Sequence, residues 1–126
     1  MNFDFGNGPL PAHQHINGGG WVADTATVSP TAYVGPEAKV FDRAWVYNKA
    51  RVFGEARVYG TSVVCGEARV YGEAEVFDEA WVYDKAEVYD NARVFGAASI
   101  YCQARIYGKA WVSGMISVSG DSKIKE

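Results

Sequence analysis

The chain has 126 residues, of which 12 are Lys or Arg and 15 are Asp or Glu, and its formal net charge is −3. This length indicates a single domain, and the slightly acidic balance argues against a protein that binds nucleic acid duplexes through a general positive field. No apolar run reaches the length of a membrane-spanning helix, and the N-terminus lacks the basic region of a signal peptide, so we expect neither a membrane partner nor secretion.

Residues 1–19 lie before any regular pattern, and we predict that they form an irregular cap over the first turn of the fold, where core and strand edge would otherwise be exposed. The apolar residues of this segment are Phe3, Phe5, Leu10 and Ile16. His13 and His15 form a His-x-His pair, and in a trimer three such pairs could meet at an axis and bind a metal. No third ligand type is spaced with them, so we favour polar cap residues and predict no metal site.

From residue 20 onward the sequence repeats every six residues. A β-branched aliphatic residue stands at eighteen consecutive positions, six apart, from Val22 to Ile124. The residue two positions before each is Ala, except at Gly20, Ser62, Ile116 and Ser122. A small-x-Val pattern has a period of two, which places both residues on the same face of a short strand. The position two after each Val is mostly Gly, Asp or Asn, residues that tolerate a tight or left-handed turn. The repeat therefore predicts strands of about three residues separated by corners.

A strand and a corner repeated without insertion are typical of a coil with three strands per turn. Eighteen hexads then give six triangular coils of about 18 residues, stacked at about 4.8 Å into a prism about 29 Å tall. We predict an all-β fold of this kind, with residues 20–126 as the repeat domain and residues 1–19 as its cap. One coil cannot bury its own apolar face, so stacking supplies the core.

The small-x-Val-x-Gly/Asp hexads between Gly20 and Ile124 resemble the hexapeptide-repeat proteins, which fold as single-stranded left-handed parallel β-helices. The opening GGGWVADTATVSPTAYVGPEAKVFDRAWVY, followed by ARVYG units, is also similar to the uninterrupted hexapeptide proteins of bacteriophages and prophages. The resemblance implies left-handed coils and a homotrimer.

The best-known activity of that family is acyl transfer from a coenzyme A or acyl-carrier donor. Family enzymes usually bear a loop that interrupts the coils and a catalytic His in a cleft between subunits. This chain has no insertion between Gly20 and Ile124 and no His after His15. We therefore predict a non-enzymatic protein with no catalytic residue and no cofactor, and we keep an acyltransferase as an alternative.

The residues that flank each Val point outward, and the register sorts them into three faces, each with two columns. Face one contains Trp21 and Ala23, Lys39 and Phe41, Arg57 and Tyr59, Glu75 and Phe77, Arg93 and Phe95, Trp111 and Ser113. Face two contains Thr27 and Ser29, Trp45 and Tyr47, Val63 and Cys65, Trp81 and Tyr83, Ser99 and Tyr101, Ser117 and Ser119. Face three contains Tyr33 and Gly35, Arg51 and Phe53, Arg69 and Tyr71, Glu87 and Tyr89, Arg105 and Tyr107, Lys123 and Lys125.

Face two has no charged residue and holds two Trp and three Tyr. Exposed apolar patches of a few hundred Å² usually mark a contact surface, and aromatic residues without charges are typical of the core of an interface. We therefore predict that face two packs in a homo-oligomer, for which the resemblance implies a trimer. The predicted interface residues are Trp45, Tyr47, Val63, Trp81, Tyr83 and Tyr101.

Faces one and three each set an aromatic column beside a mostly basic column. Arg side chains can pair with phosphate, while Phe and Tyr can stack on a base or a sugar. The predicted ligand-binding residues are Arg51, Phe53, Arg69, Tyr71, Tyr89, Arg105 and Tyr107. We favour a small anionic, nucleotide-like ligand, which for a phage-encoded protein would be a sequestered host signal. The alternative is a rigid spacer or assembly domain, in which the columns serve only folding.

The two cysteines, Cys65 and Cys102, are about two coils apart in the predicted winding, or roughly 10 Å by the stacking distance. This separation exceeds the reach of a disulfide. We therefore predict two free thiols, which fits the reducing cytoplasm of a bacterial host.

Overall fold

The computed structural model of the chain describes residues 1–120 and 123–125, and these residues form only strands, turns and irregular segments. The strands in chain order are β1 (Asn2–Asp4), β2 (Pro9–Gln14), β3 (Trp21–Ala23), β4 (Thr27–Val28), β5 (Tyr33–Val34), β6 (Lys39–Val40), β7 (Trp45–Val46), β8 (Arg51–Val52), β9 (Arg57–Val58), β10 (Val63–Val64), β11 (Arg69–Val70), β12 (Glu75–Val76), β13 (Trp81–Val82), β14 (Glu87–Val88), β15 (Arg93–Val94), β16 (Ser99–Ile100), β17 (Arg105–Tyr107), β18 (Trp111–Val112), β19 (Ser117–Val118) and β20 (Lys123–Lys125). Within these described ranges there is no helix long and apolar enough to cross a membrane.

Strands β3 to β20 wind as a β-solenoid of six coils, and each coil contributes one strand to each of three sheets. Coil 1 comprises β3 to β5, and coil 6 comprises β18 to β20. Neighbouring coils pair in parallel with residue i opposite residue i+18, as Val52 pairs with Val70 and Val70 with Val88. The predicted all-β fold of six stacked coils is confirmed. The left-handed sense of the winding, which the resemblance implies, stays a prediction.

The interior of the solenoid is a continuous stack of small and β-branched side chains. Between Ala32 and Ile106 every Ala and Val or Ile of the repeat is fully buried, and Ser62 replaces one Ala. The Ser62 hydroxyl donates a hydrogen bond to the carbonyl oxygen of Tyr59 at 2.8 Å, so the polar atom is satisfied inside the core. Burial of each Val contributes roughly 1.5 kcal/mol, and the gain recurs in every coil.

The corners adopt the left-handed backbone that the Gly, Asp and Asn positions predict. Every sixth residue from Asp42 to Gly120 has a positive φ. Where the corner residue is Asp, its carboxylate also accepts the backbone N–H of the corner one coil further on, as Asp78 Oδ2 does from Gly96 at 3.1 Å. These side chains tie neighbouring coils together outside the sheets.

The N-terminal segment extends the first sheet with two antiparallel strands. β2 pairs with β3, and β1 pairs with β2, so the free edge of β3 is covered by regular structure, where the sequence predicted an irregular cap. Phe3 and Phe5 pack on the outside of this sheet, and Phe5 stacks on Phe41 with 4.9 Å between ring centroids. Leu10 and Ile16 remain 42% and 87% exposed, so the packing comes from the two Phe residues.

The loop that follows β2 covers the beginning of the third sheet. The carbonyl oxygen of Asn17 accepts the backbone N–H of Val34, and the N–H of Gly20 donates to the carbonyl oxygen of Val34, both at 3.0 Å. His15 is buried in this loop, and its Nε2 lies 2.9 Å from the carbonyl oxygen of Ala32. The loop therefore supplies backbone partners for β5, the first strand of face three.

Candidate functional site

The charged residues of face three form one column of the third sheet. Parallel pairing sets Arg51 against Arg69, Arg69 against Glu87, Glu87 against Arg105, and Arg105 against Lys123. The three predicted ligand-binding arginines thus lie in one line, but Glu87 separates the first two from the third. Arg51 and Arg69 are direct neighbours of the same charge, an arrangement that costs free energy in a sheet.

The corner before face three adds two lysines that sequence reasoning missed. Lys49 lies two residues before Arg51, and Lys85 lies two residues before Glu87. Sequence reasoning sorted only strand residues into faces, although the 18-residue spacing also aligns these corner positions. The cationic edge consists of Lys49, Arg51, Arg69, Lys85, Arg105 and Lys123. The described acidic residues in the same two columns are Glu67 and Glu87.

No side chain of the cationic edge forms an ion pair within the described residues. In residues 1–120 and 123–125 the structure contains one ion pair, between His13 Nδ1 and Asp24 Oδ1 at 2.8 Å. Among the described residues of these two columns, six cations against two carboxylates give a local positive excess, although the whole chain has a net charge of −3. Such segregation concentrates a positive field that attracts anions.

The aromatic residues of face three form a stacked column, the face-three ladder, which consists of Phe53, Tyr71, Tyr89 and Tyr107. Successive ring centroids are 4.8, 5.0 and 5.2 Å apart, and the rings are within 6° of parallel. Both ring faces of Tyr71 and of Tyr89 are therefore covered by neighbouring rings. A ligand can reach the edges of these two rings, but it cannot stack on them while the ladder is intact.

Tyr71 is also linked to the charged column. Its hydroxyl donates a hydrogen bond to Glu87 Oε1 at 3.1 Å. Burial, together with the adjacent Glu87 carboxylate, raises the pKa of Tyr71 to about 12. Glu87 therefore stabilises the neutral phenol of Tyr71.

Two cavities open along the cationic edge. The upper one, which is nearer to coil 1, has a volume of about 710 Å³ and is lined by Asn17, Thr31, Tyr33, Lys49, Arg51 and Phe53. The lower one has a volume of about 570 Å³ and is lined by Lys85, Glu87, Gln103, Arg105 and Lys123. Lys49 and Arg51 thus share one concave surface, and Lys85 and Arg105 share another.

Face one has the same two kinds of column with a different charge balance. Its aromatic column, the face-one ladder, consists of Phe41, Tyr59, Phe77 and Phe95, with centroids 4.7 to 5.0 Å apart. The charged residues of the strands and of the preceding corner are Glu37, Lys39, Glu55, Arg57, Glu73, Glu75, Arg93 and Lys109. Four acids and four bases balance on face one, so it has no charge excess to attract an anion.

Face two brings the predicted interface residues together. Trp45, Val63 and Trp81 pair in register in the second sheet, and the two Trp side chains are 51% and 44% exposed. A cavity of about 520 Å³ opens between them over Val63. Exposed Trp side chains around a depression are typical of a contact surface.

The second column of face two contains Tyr47, Cys65, Tyr83 and Tyr101. Tyr83 stacks on Tyr101 with 5.1 Å between centroids, whereas Cys65 interrupts the ring column above them. A hydrogen bond with Cys65, assisted by burial, raises the pKa of Tyr47. Both cysteines are free, as predicted; Cys65 is buried and Cys102 is exposed.

The two histidines of the N-terminal segment do not converge within one chain. His13 is exposed and pairs with Asp24, while His15 is buried against the carbonyl oxygen of Ala32. Within the described ranges no group of three or more His, Cys, Asp and Glu side chains is close enough to hold a metal ion. That these pairs form no metal site in a trimer stays a prediction.

Comparison with known proteins agrees with the repeat architecture. A family model described as the YdcK beta solenoid repeat matches residues 86–101, a stretch that contains β14, β15 and β16. This part of the chain is therefore similar to a solenoid repeat of another protein. No curated protein and no solved structure shows significant similarity to the chain.

Proposed function

We propose that this chain is a non-catalytic β-solenoid protein that binds a small anionic, nucleotide-like ligand at the cationic edge and assembles as a homotrimer through face two. The observation that carries the proposal is the pair Arg51 and Arg69, which are adjacent in the sheet and form no ion pair within the described chain. A phosphate between two guanidinium groups would replace their repulsion with charge-assisted, bidentate hydrogen bonds.

The setting that fits this activity is a small phage-encoded accessory protein in the cytoplasm of a bacterial host. Sequestering a nucleotide signal needs affinity and no chemistry, so it requires no catalytic base. An acyltransferase is the enzymatic alternative, and it would have to work without the catalytic His that family enzymes carry, because no His follows His15.

Thermal unfolding against a panel of nucleotides and phosphate esters tests ligand binding. A ligand that binds only the folded chain, at a hundred times its Kd, stabilises it by about 2.7 kcal/mol, so the midpoint should rise by several degrees. The double variant Arg51→Ser with Arg69→Ser should lose this rise. The matched control, Arg57→Ser with Arg93→Ser on face one, removes the same charge and should keep it.

No rise in the midpoint with any member of the panel at millimolar concentration would overturn the ligand proposal. An equal loss in the face-one control would also overturn it, since binding would then follow total charge and not the cationic edge.

A structural spacer is the second candidate function. It is favoured by the self-stacking of the face-three ladder, in which Tyr71 and Tyr89 use both ring faces on each other and on their neighbours. Stacked cross-strand aromatic pairs contribute about 0.2 to 1 kcal/mol each to a sheet, so the ladder has a role in folding without any ligand. A chain that assembles as a trimer, but whose unfolding midpoint rises with no ligand of the panel, would be such a spacer.

Size-exclusion chromatography with light scattering tests the homotrimer. The wild-type chain should elute with the mass of three chains, and Trp81→Arg should elute as a monomer because a buried guanidinium without a partner is costly at an interface. Trp111→Arg is the matched control: Trp111 is 63% exposed but lies on face one, so this variant should stay trimeric. A wild-type monomer, or a trimeric Trp81→Arg variant, would overturn the assembly proposal.

A further inference from the structure

The two ring ladders begin differently at their upper ends. The first ring of the face-one ladder is Phe41, and Phe5 from the N-terminal hairpin stacks on it at 4.9 Å with 21° between the ring planes. Phe5 lies outside the six-residue repeat and is itself buried. The chain thus supplies, from a separate segment, a planar ring that closes the head of this ladder.

The first ring of the face-three ladder is Phe53, and nothing equivalent closes it. Within the described chain Phe53 stacks with one ring, Tyr71, on its lower side. The residue one coil above it is Gly35, which has no side chain; a Cβ there would lie 3.1 Å from the Cβ of Phe53 and 3.4 Å from Cε2 of Tyr33. The head of this ladder opens into the 710 Å³ cavity that Phe53 and Tyr33 line.

The same cavity also contains two positive charges beside this ladder head. Lys49 and Arg51 line it, and neither side chain has an ion pair within residues 1–120 and 123–125. Two of its neutral polar side chains are already engaged by the fold: the Thr31 hydroxyl donates to the carbonyl oxygen of Asn48, and the Asn17 amide donates to that of Ala32. The groups left for a ligand are a ring face and two cations.

We infer that the head of the face-three ladder binds a planar aromatic ring that carries a phosphate group, with the ring on Phe53 in the way that Phe5 lies on Phe41. Lys49 and Arg51 would hold the phosphate, and the ring would gain the stacking free energy that base–aromatic contacts provide. A nucleoside monophosphate has both parts. This inference rests on the proposed function and names its ligand class and its position.

Titration of the full chain with adenosine 5′-monophosphate, adenosine and inorganic phosphate tests the two parts of the site separately. The monophosphate should bind about tenfold more tightly than either of the other two probes. Its ring protons should shift upfield in the NMR spectrum, because only a stacked ring experiences the ring current of Phe53. Inorganic phosphate should bind weakly and show the salt dependence of a charge contact.

Two variants at matched ladder heads localise the ring. Phe53→Leu should reduce monophosphate affinity about tenfold and leave inorganic phosphate unaffected, whereas Phe41→Leu, at the head that Phe5 already covers, should leave both unchanged. If Phe53→Leu fails to fold, the upfield shift in the wild-type chain decides the question by itself.

The outcomes separate this inference from the proposed function. Equal affinity for phosphate and the monophosphate, with no upfield shift, would overturn the ring site and leave the anion site in place. Binding of adenosine as tight as the monophosphate would support the stacking and overturn the phosphate contact. Failure of all probes in the presence of a folded chain would overturn both proposals.

Discussion

Face one and face three are built on the same plan, with a charged column beside a stack of four rings. In both, a tyrosine hydroxyl donates to the glutamate of the charged column: Tyr59 to Glu75 at 2.9 Å, and Tyr71 to Glu87 at 3.1 Å. They differ where the repeat begins, at the first coil. There Phe5 closes the face-one ladder, while the face-three ladder ends at a cavity.

The corner residues that precede the two faces also differ in charge. The corner before face one carries the acids Glu37, Glu55 and Glu73, and these offset the bases of the neighbouring strands. The corner before face three carries Lys49 and Lys85, with Glu67 between them, so its net charge adds to that of the arginines instead. Face one therefore has balanced charges and a covered ladder head, and face three has neither, which is why we propose a folding role for face one and ligand binding for face three.

Removing the ring that closes face one should give the largest effect. Phe5 is almost fully buried, and truncation of a buried Phe typically costs about 3 kcal/mol or more. We expect Phe5→Ala to lower the free energy of unfolding by about 3 kcal/mol in urea denaturation. Hydrogen exchange should rise in β1 and β2 and stay low in coils 3 to 5, because only the hairpin depends on this contact.

Leu10→Ala is the control for this hairpin, since Leu10 is 42% exposed and its truncation should change stability by less than about 0.5 kcal/mol. Equal losses in the two variants would show that the hairpin is not held by stacking on Phe41, and the distinction between a closed and an open ladder head would fail.

The repeat part of the fold could be predicted from the sequence because its periods are physical constraints. The Val residues, six apart, and the small residues two before them can all be buried only if the chain turns at every corner. The positive φ at every sixth residue from Asp42 to Gly120 follows from that winding. The hairpin could not be predicted in the same way. Pro9 and Pro11 argue against a strand, yet both lie in β2, which is ordered by antiparallel pairing with the edge of β3.

The candidate site was predicted in part. The sequence placed Arg51, Arg69 and Arg105 in one column, because residues 18 apart must align in a three-sided coil. It left out Lys49, because a corner residue was not assigned to any face. It also treated Tyr71 as a stacking surface for a ligand, and only the side-chain geometry shows that its ring faces are taken by the neighbouring rings.

A substitution at a corner should lower the free energy of unfolding by an intermediate amount, and by the same amount on the two faces. Asp78 is the corner residue that follows β12 on face one and has a φ of 58°, and its carboxylate accepts the N–H of Gly96. Asp78→Ala removes this hydrogen bond, and Ala lacks the polar side chain that helps Asp to adopt a left-handed backbone conformation. We therefore expect the free energy of unfolding in urea denaturation to fall by about 2 kcal/mol. Asp78→Gly keeps the backbone relaxed and should lose less than Asp78→Ala.

Asp90 provides the matched position on face three, because it has the same φ of 58° and accepts the N–H of Gly108 at 3.1 Å. Asp90→Ala should therefore cost the same as Asp78→Ala within about 0.5 kcal/mol. A clear difference between them would mean that the two faces already differ in their scaffold, and not only in their first coil and their charges.

The smallest effect that we expect is an alkaline loss of stability shared by the two ladders. Burial and the hydrogen bond to Glu75 raise the pKa of Tyr59 above its ordinary value, and burial and Glu87 raise that of Tyr71 from 10.0 to about 12. A raised pKa favours the neutral phenol in the folded chain, so this stabilisation is fully present below pH 10 and declines as the pH rises toward 12.

Urea denaturation at pH 8, 10 and 11 should show a steeper alkaline decline of the free energy of unfolding for the wild-type chain than for Tyr71→Phe or Tyr59→Phe, which have no proton to lose at that position. Identical declines in all three chains would mean that the phenol–carboxylate pairs contribute nothing to stability in either ladder.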